Sequence, residues 1–241
     1  MVAHVVERAK EAGVAAEVVV ATDDERIAAA AAAAGARPVM TSDARSGTDR
    51  VAQVARDLPA EVVLNVQGDE PALPPENLRI LATFLLAHPD VPMATLSLPA
   101  SDEELRDPNI VKVVTDLAGS ALYFSRAAIP YPRRAEPGLA RKHVGLYGFQ
   151  KEALLRFAAL EEVALERAEG LEQLRALAHG MAIRVLEAAG ESVAVDTPAD
   201  VARAEAALAA LLAERAGAGG AVTGRLAPFG GPRSAGRKVG D

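Results

Sequence analysis

Residues 61–66 read EVVLNV, a short run rich in β-branched side chains that stops at a glycine and two acids, GDEP over 68–71. An apolar run of this kind, with little polar alternation, is the pattern of a strand buried on both faces, and such a strand needs helices above and below its sheet. The chain is thereby constrained to a layered α/β fold. Its flanks agree. Residues 17–21 (EVVVA) form a second β-branched run ending at Thr22, Asp23 and Asp24, followed by an alanine-rich helix over 25–34 and then Gly35. Residues 38–41 predict a short strand, 48–57 a helix, and 75–87 a helix with Pro75 in its first turn. The chain opens in a helix, because Val2, Val5, Val6 and Ala9 recur at helical spacing before Gly13.

Strand patterns then crowd together at 93–98, 111–115, 121–125 and 144–149, which predicts a parallel sheet extended by antiparallel strands. Helices follow over 151–160, 165–179 and 198–215, with a strand at 183–187 between the last two. Residues 1–215 are read as one domain. Residues 216–241, where Gly, Ala, Pro and Arg dominate and apolar periodicity ends, are read as a disordered tail.

Composition removes several function classes. Lys and Arg total 26 against 33 Asp and Glu, a net charge of −7, which argues against a broad phosphate-backbone footprint and so against nucleic acid as a partner. The absence of cysteine excludes disulfides, thiolate metal sites and cysteine nucleophiles. No apolar run approaches the roughly twenty residues a bilayer span requires, and the first residues lack a signal-peptide pattern, so no membrane partner and a cytoplasmic location are expected.

The chemistry concentrates at segment ends. Asp69 and Glu70 stand at the C-terminal end of the 61–66 strand, where open α/β sheets place ligands. Asp69 suits a magnesium ion, since a hard cation takes carboxylate oxygen and leaves positions for water and phosphate; a turn pair before Pro71 is the plainer reading. Asp196 ends another apolar run, VAVDTP over 193–198, where it either caps the next helix or supplies a second oxygen ligand. SGTDR over 46–50 sets small residues beside Gly47, with Arg45 and Arg50 nearby, and either caps a helix or lets backbone N–H groups approach a base or phosphate. Neither a P-loop nor a GxGxxG pattern occurs. Lys112, inside an apolar strand, either snorkels from an edge or meets a ligand. Ser125 and Arg126 end a strand. His143 starts a glycine-flanked strand, where core packing is the default reading, and Glu172 and Gln173 sit between helical leucines on what would ordinarily be a solvated face.

Seven segments in order, SGTDR (46–50), NVQGDEP (65–71), PNIVKVV (108–114), ALYFSRA (121–127), KHVGLYG (142–148), LEQLRA (171–176) and VDTP (195–198), resemble the 3-deoxy-manno-octulosonate cytidylyltransferases, or CMP-KDO synthetases. The resemblance implies a nucleotide-diphospho-sugar transferase fold, a Rossmann-like three-layer sandwich with a mixed, mostly parallel sheet. It implies in-line transfer of the cytidylyl group of CTP to KDO, releasing pyrophosphate, in a homodimer that serves lipopolysaccharide synthesis. By motif position Asp69 and Asp196 would hold Mg2+. Gln67, Arg126, His143, Tyr147, Glu172 and Gln173 would line the sugar pocket, with Arg126 on the KDO carboxylate, and Ser46 and Arg45 would stand on the cytosine side. The alternatives are another acidic sugar as acceptor, or a relic that binds sugar or dimerises without turnover. The family's opening strand and basic, glycine-rich loop, roughly ARxxSxRLPGKPL, has no counterpart here. Met1 corresponds to the helix after that loop, so the sequence reads as N-terminally clipped, without the first strand, and with weak CTP binding expected if that clipping is genuine.

Overall fold

The computed structural model describes residues 1–134, 138–195 and 197–218. Helix α1 (Val2–Ala12) leads to β1 (Val19–Thr22), α2 (Glu25–Ala33), β2 (Arg37–Met40), α3 (Gly47–Ala55) and β3 (Val62–Asn65). Then follow α4 (Pro75–Ala87), β4 (Met93–Pro99), α5 (Asp102–Arg106), β5 (Lys112–Thr115), β6 (Ala121–Ser125) and β7 (Arg141–Gln150). The chain continues through α6 (Lys151–Ala159), α7 (Ala164–Glu169), α8 (Gln173–Ala178), β8 (Ile183–Glu187) and α9 (Pro198–Ala218). No helix among these residues is long and apolar enough to cross a membrane.

The larger sheet has the order β6-β5-β7-β4-β8, with β3 also on β7. Strand β7 is its spine. It pairs antiparallel with β4 along one edge, while β3, at residues 147–150, and β5, at Lys142, share the other. Strand β8 lies parallel to β4, so β3, β4, β5 and β8 run one way and β6 and β7 the other. Strands β1 and β2 form a separate parallel pair.

Two apolar layers cover the sheet. Leu154, Phe157, Leu171 and Leu174 from the α6–α8 side pack with Phe149 and Phe124 on one face, while Leu78, Leu81 and Leu85 of α4 pack with Leu96 and Leu146 on the other. Both faces of β7 are thus buried, which gives the three-layer sandwich expected. The fit is tight where α4 crosses β7. A Cβ on Gly148 would stand 2.5 Å from Leu85 Cδ1 and 3.2 Å from Leu64 Cδ2. Gly148→Ala should therefore cost about 1–3 kcal/mol through overpacking, read as a lower urea midpoint with an unchanged slope.

Three expectations change here. The helix expected over 165–179 is broken: Gly170 adopts φ 63°, ψ 41°, in the left-handed region, and closes α7, so that α8 starts afresh after Glu172. Lys112 neither snorkels nor reaches for a ligand. It is fully buried, and its ammonium donates to the carbonyls of Asp107 (2.7 Å), Ile110 (2.6 Å) and Arg126 (2.6 Å), which use all three of its N–H donors. The strand over β3 is partly rather than wholly buried, with only Asn65 sealed from solvent. The tail expected to be disordered lies outside the described residues from 219 onward, and α9 reaches Ala218.

Candidate active site

After Asn65 the chain leaves the sheet and turns through Gly68 and Asp69 at the C-terminal rim of β3, as the sequence predicts. The Asp69 carbonyl accepts a hydrogen bond from Val195 N–H (2.9 Å), which brings the segment ending at Val195 onto this turn. Asp196, the second expected metal ligand, lies outside the described residues. Glu70 points inward and is only 7% exposed. Burial raises its pKa, and the Ser192 hydroxyl offsets part of that rise; yet Glu70 Oε2 and Ser192 Oγ each lack a completed hydrogen bond.

The N-terminus of α3 forms the next wall. Ser46 caps the helix, its hydroxyl accepting from Asp49 N–H (3.2 Å). Gly47 lets this turn lie close to β3: a Cβ there would be 3.5 Å from Gln67 Oε1. Thr48, 1% exposed, accepts from Asn65 Nδ2 (2.8 Å) and donates to Glu172 Oε1. The break at Gly170 is what delivers Glu172 to this point, with Gln173 beside it at 2% exposure. Burial raises the Glu172 pKa, the Thr48 and Ser46 hydroxyls and Arg175 pull it back, and its Oε2 has no partner.

Strand β7 supplies the floor. Between Thr95 and Leu96 of β4 the register jumps from Tyr147 to Val144, so residues 145–146 bulge out of the ladder. Thr95 Oγ1 fills the bulge, donating to the Leu146 carbonyl (2.8 Å) and meeting His143 Nε2 (2.8 Å). Bulges re-aim neighbouring side chains. Here Gly145 faces Glu70, whose Oε1 would be 3.6 Å from an added Cβ, and Tyr147 is buried in the field of both Glu172 and Glu70. Burial first, then those two carboxyls, raises the Tyr147 phenol well above its ordinary pKa. The His143 ring lies 5.4 Å from Tyr147 and edge-on to Phe124 at 5.0 Å. Burial lowers its pKa to about 3, so the imidazole is neutral at physiological pH.

Asp69, Gln67, Ser46, Glu172, Gln173, Tyr147 and His143 therefore belong to one rim. Arg126 stands further along, at the end of β6. Its Nε donates to the Glu169 carbonyl (2.8 Å) and its Nη1 to the Pro108 carbonyl (3.2 Å), while the Glu169 carboxylate takes Ser125 Oγ and Arg126 N–H. Its guanidinium meets no carboxylate among the described residues. Arg45 binds Asp49 (2.7 Å) and the Ala158 carbonyl (2.8 Å), tying α3 to the end of α6. From the sequence, Thr48 and Asn65 have no role of their own and Glu70 only a place beside Asp69 at the strand end. Asn65 carried a usable signal, since an amide inside an otherwise apolar strand must find a buried partner.

A cytidylyltransferase family model matches residues 1–183. The chain is 52% identical over 213 residues to 3-deoxy-manno-octulosonate cytidylyltransferase of Anaeromyxobacter sp. (strain Fw109-5), covering 87% of this chain and 86% of that protein. It is 48% identical over 223 residues to the protein of the same name from Syntrophotalea carbinolica, with 88% and 89% covered. A solved structure of CMP:2-keto-3-deoxy-manno-octonic acid synthetase complexed with CTP superposes with a TM-score of 0.81 at 41% identity, over 89% of this chain and 88% of that one. The ordered segments and the three-layer fold thus agree with one lineage, and the chain belongs to the cytidylyltransferase family, among the 3-deoxy-manno-octulosonate cytidylyltransferases.

Proposed function

We propose that this protein transfers the cytidylyl group of CTP to 3-deoxy-manno-octulosonate, giving CMP-KDO and pyrophosphate. The observation that carries the reading is the meeting, at one rim of the sheet, of segments 46–48, 65–70, 143–147 and 172–173, which are far apart in sequence. In this reading the anomeric hydroxyl attacks the α-phosphorus in line; the new O–P bond forms as the bond to the β-phosphate breaks, and no side chain serves as a covalent nucleophile. Glu172, Gln173, Gln67, Tyr147 and neutral His143 present buried or half-buried polar groups suited to a polyhydroxylated acid. Arg126, with carbonyl partners only, supplies a cation for its carboxylate. Ser46 and Arg45 stand on the cytosine side.

The donor chemistry suits magnesium. Asp69 offers a hard oxygen at the rim, and among the described residues no three ligating side chains gather round one point. Magnesium is commonly held by one or two carboxylates and completes its shell with water and phosphate. Asp69, with Asp196 as its partner, would hold it; when bound, it neutralises charge on the triphosphate and the attacking oxygen. The family resemblance further supports a cytoplasmic homodimer whose product supplies lipopolysaccharide synthesis.

The decisive experiment is pyrophosphate release by the protein with CTP, Mg2+ and a panel of sugar acids. Release with KDO, above that with sialic acid, is expected. Absence of release with KDO, or a faster reaction with another acid, overturns the assignment.

A further inference from the structure

Glu172 is held by a hydrogen-bond chain that no part of the reaction scheme above requires. Asn65 Nδ2 donates to Thr48 Oγ1 (2.8 Å), and Thr48 Oγ1 bonds to Glu172 Oε1. All but the last member are sealed from solvent, Asn65 at 2% and Thr48 at 1% exposure. The three residues come from β3, α3 and the turn before α8, 17 and 124 positions apart. A threonine hydroxyl has one proton. With Asn65 donating toward it and Glu172 ionised, Thr48 gives its proton to Glu172 Oε1, which accepts. Glu172 Oε2 is left as the buried oxygen without a completed hydrogen bond, with the Ser46 hydroxyl also acting on this carboxyl.

We infer that Asn65 and Thr48 are positioning residues, which fix the Glu172 carboxyl so that Oε2 alone faces a hydroxyl of the sugar acid. This rests on the proposed function for the identity of the ligand but not for the behaviour of the carboxyl. The charged and titratable groups around Glu172 are Arg175 and Asp49, with the Tyr147 phenol on the β7 side. Burial opposes the ionised form most strongly, the Thr48 and Ser46 hydroxyls and Arg175 favour it, and Asp49 opposes it. Removing the Thr48 hydroxyl must then move the Glu172 titration to higher pH and free the carboxyl to rotate.

Thr48→Val keeps the shape and deletes the hydroxyl, and Thr48→Ser restores it. In the full-length chain, the Glu172 carboxyl is followed by carbon-13 NMR titration, and steady-state kinetics are measured with KDO and CTP. Thr48→Val should shift the Glu172 titration upward, raise KM for KDO about tenfold, the loss expected for one hydrogen bond to a charged group, and leave KM for CTP within twofold. Thr48→Ser should return both quantities toward the parent. A Glu172 titration unmoved by Thr48→Val overturns the relay, whether or not the protein turns over; an unshifted KM for KDO in an active protein does so as well. A merely structural threonine would lower stability without moving the titration. Failure of the unsubstituted protein to release pyrophosphate would remove the ligand assignment and leave the NMR test standing.

Discussion

Asp69→Asn is expected to slow pyrophosphate release from CTP by about 10²–10⁴-fold, with the fold intact by circular dichroism. The substitution preserves shape and removes one negative charge from the rim. Charge stabilisation by a bound metal contributes several kcal/mol to a transition state, and each 1.36 kcal/mol is a factor of ten. The loss should fall mainly on kcat, because the interaction strengthens as charge develops on the reacting oxygens. Raising Mg2+ should recover part of it, whereas a catalytic step independent of this carboxylate would leave the rate within twofold. That outcome would remove the metal assignment and, with it, the reason for placing the triphosphate at this edge.

Arg175→Met should destabilise the protein by about 3–5 kcal/mol, the penalty for leaving a buried charge without its partner. Arg175 grips Glu166 with Nη2 at 2.6 Å and Nε at 2.9 Å, lies 3.5 Å from Asp49, and covers the Phe157 ring at 4.8 Å. Both partners of the main pair are sealed, with side-chain exposures of 3% and 9%. Urea unfolding measures the effect directly. Arg175→Met combined with Glu166→Gln should recover a large part of the loss, because a buried pair as a whole contributes little once both desolvation costs are counted. A single substitution costing under 1 kcal/mol would show that water or Arg45 compensates Glu166 and Asp49.

The elements that depend on local pattern were legible in the sequence. The 75–87 helix falls where Pro75 and the leucine spacing place it, and the β3, β4 and β6 strands sit within a residue or two of expectation. Asp69 at a strand end was also readable, because a buried strand cannot run on through glycine and two acids. What escaped depends on contacts between distant segments. The β7 bulge is set by Thr95 on another strand, and nothing in GLYG announces it. Helical spacing of leucines runs straight through Gly170, so the break that frees Glu172 is invisible unless the left-handed glycine is given priority over periodicity. Lys112 departs from both readings because the carbonyls of Asp107 and Ile110, in the segment before β5, and of Arg126, after β6, solvate it together, a convergence that no residue pattern announces.

The separate β1–β2 pair bears on how the molecule comes apart. Among the described residues these strands bond only to each other, and Arg50 pins their rim through Asp23 (2.6 Å) and Thr41 (2.5 Å) while Val6, Ala31 and Ala36 form a small cluster of their own. Two-stranded ribbons are marginal without such support, and proteins open in contiguous cooperative pieces. The region from 19 to 40 can thus fray as a subunit of the fold while the β3–β7 ladder stays registered. The proposed sugar pocket, which rests on that ladder, would outlast the ribbon under mild denaturing stress.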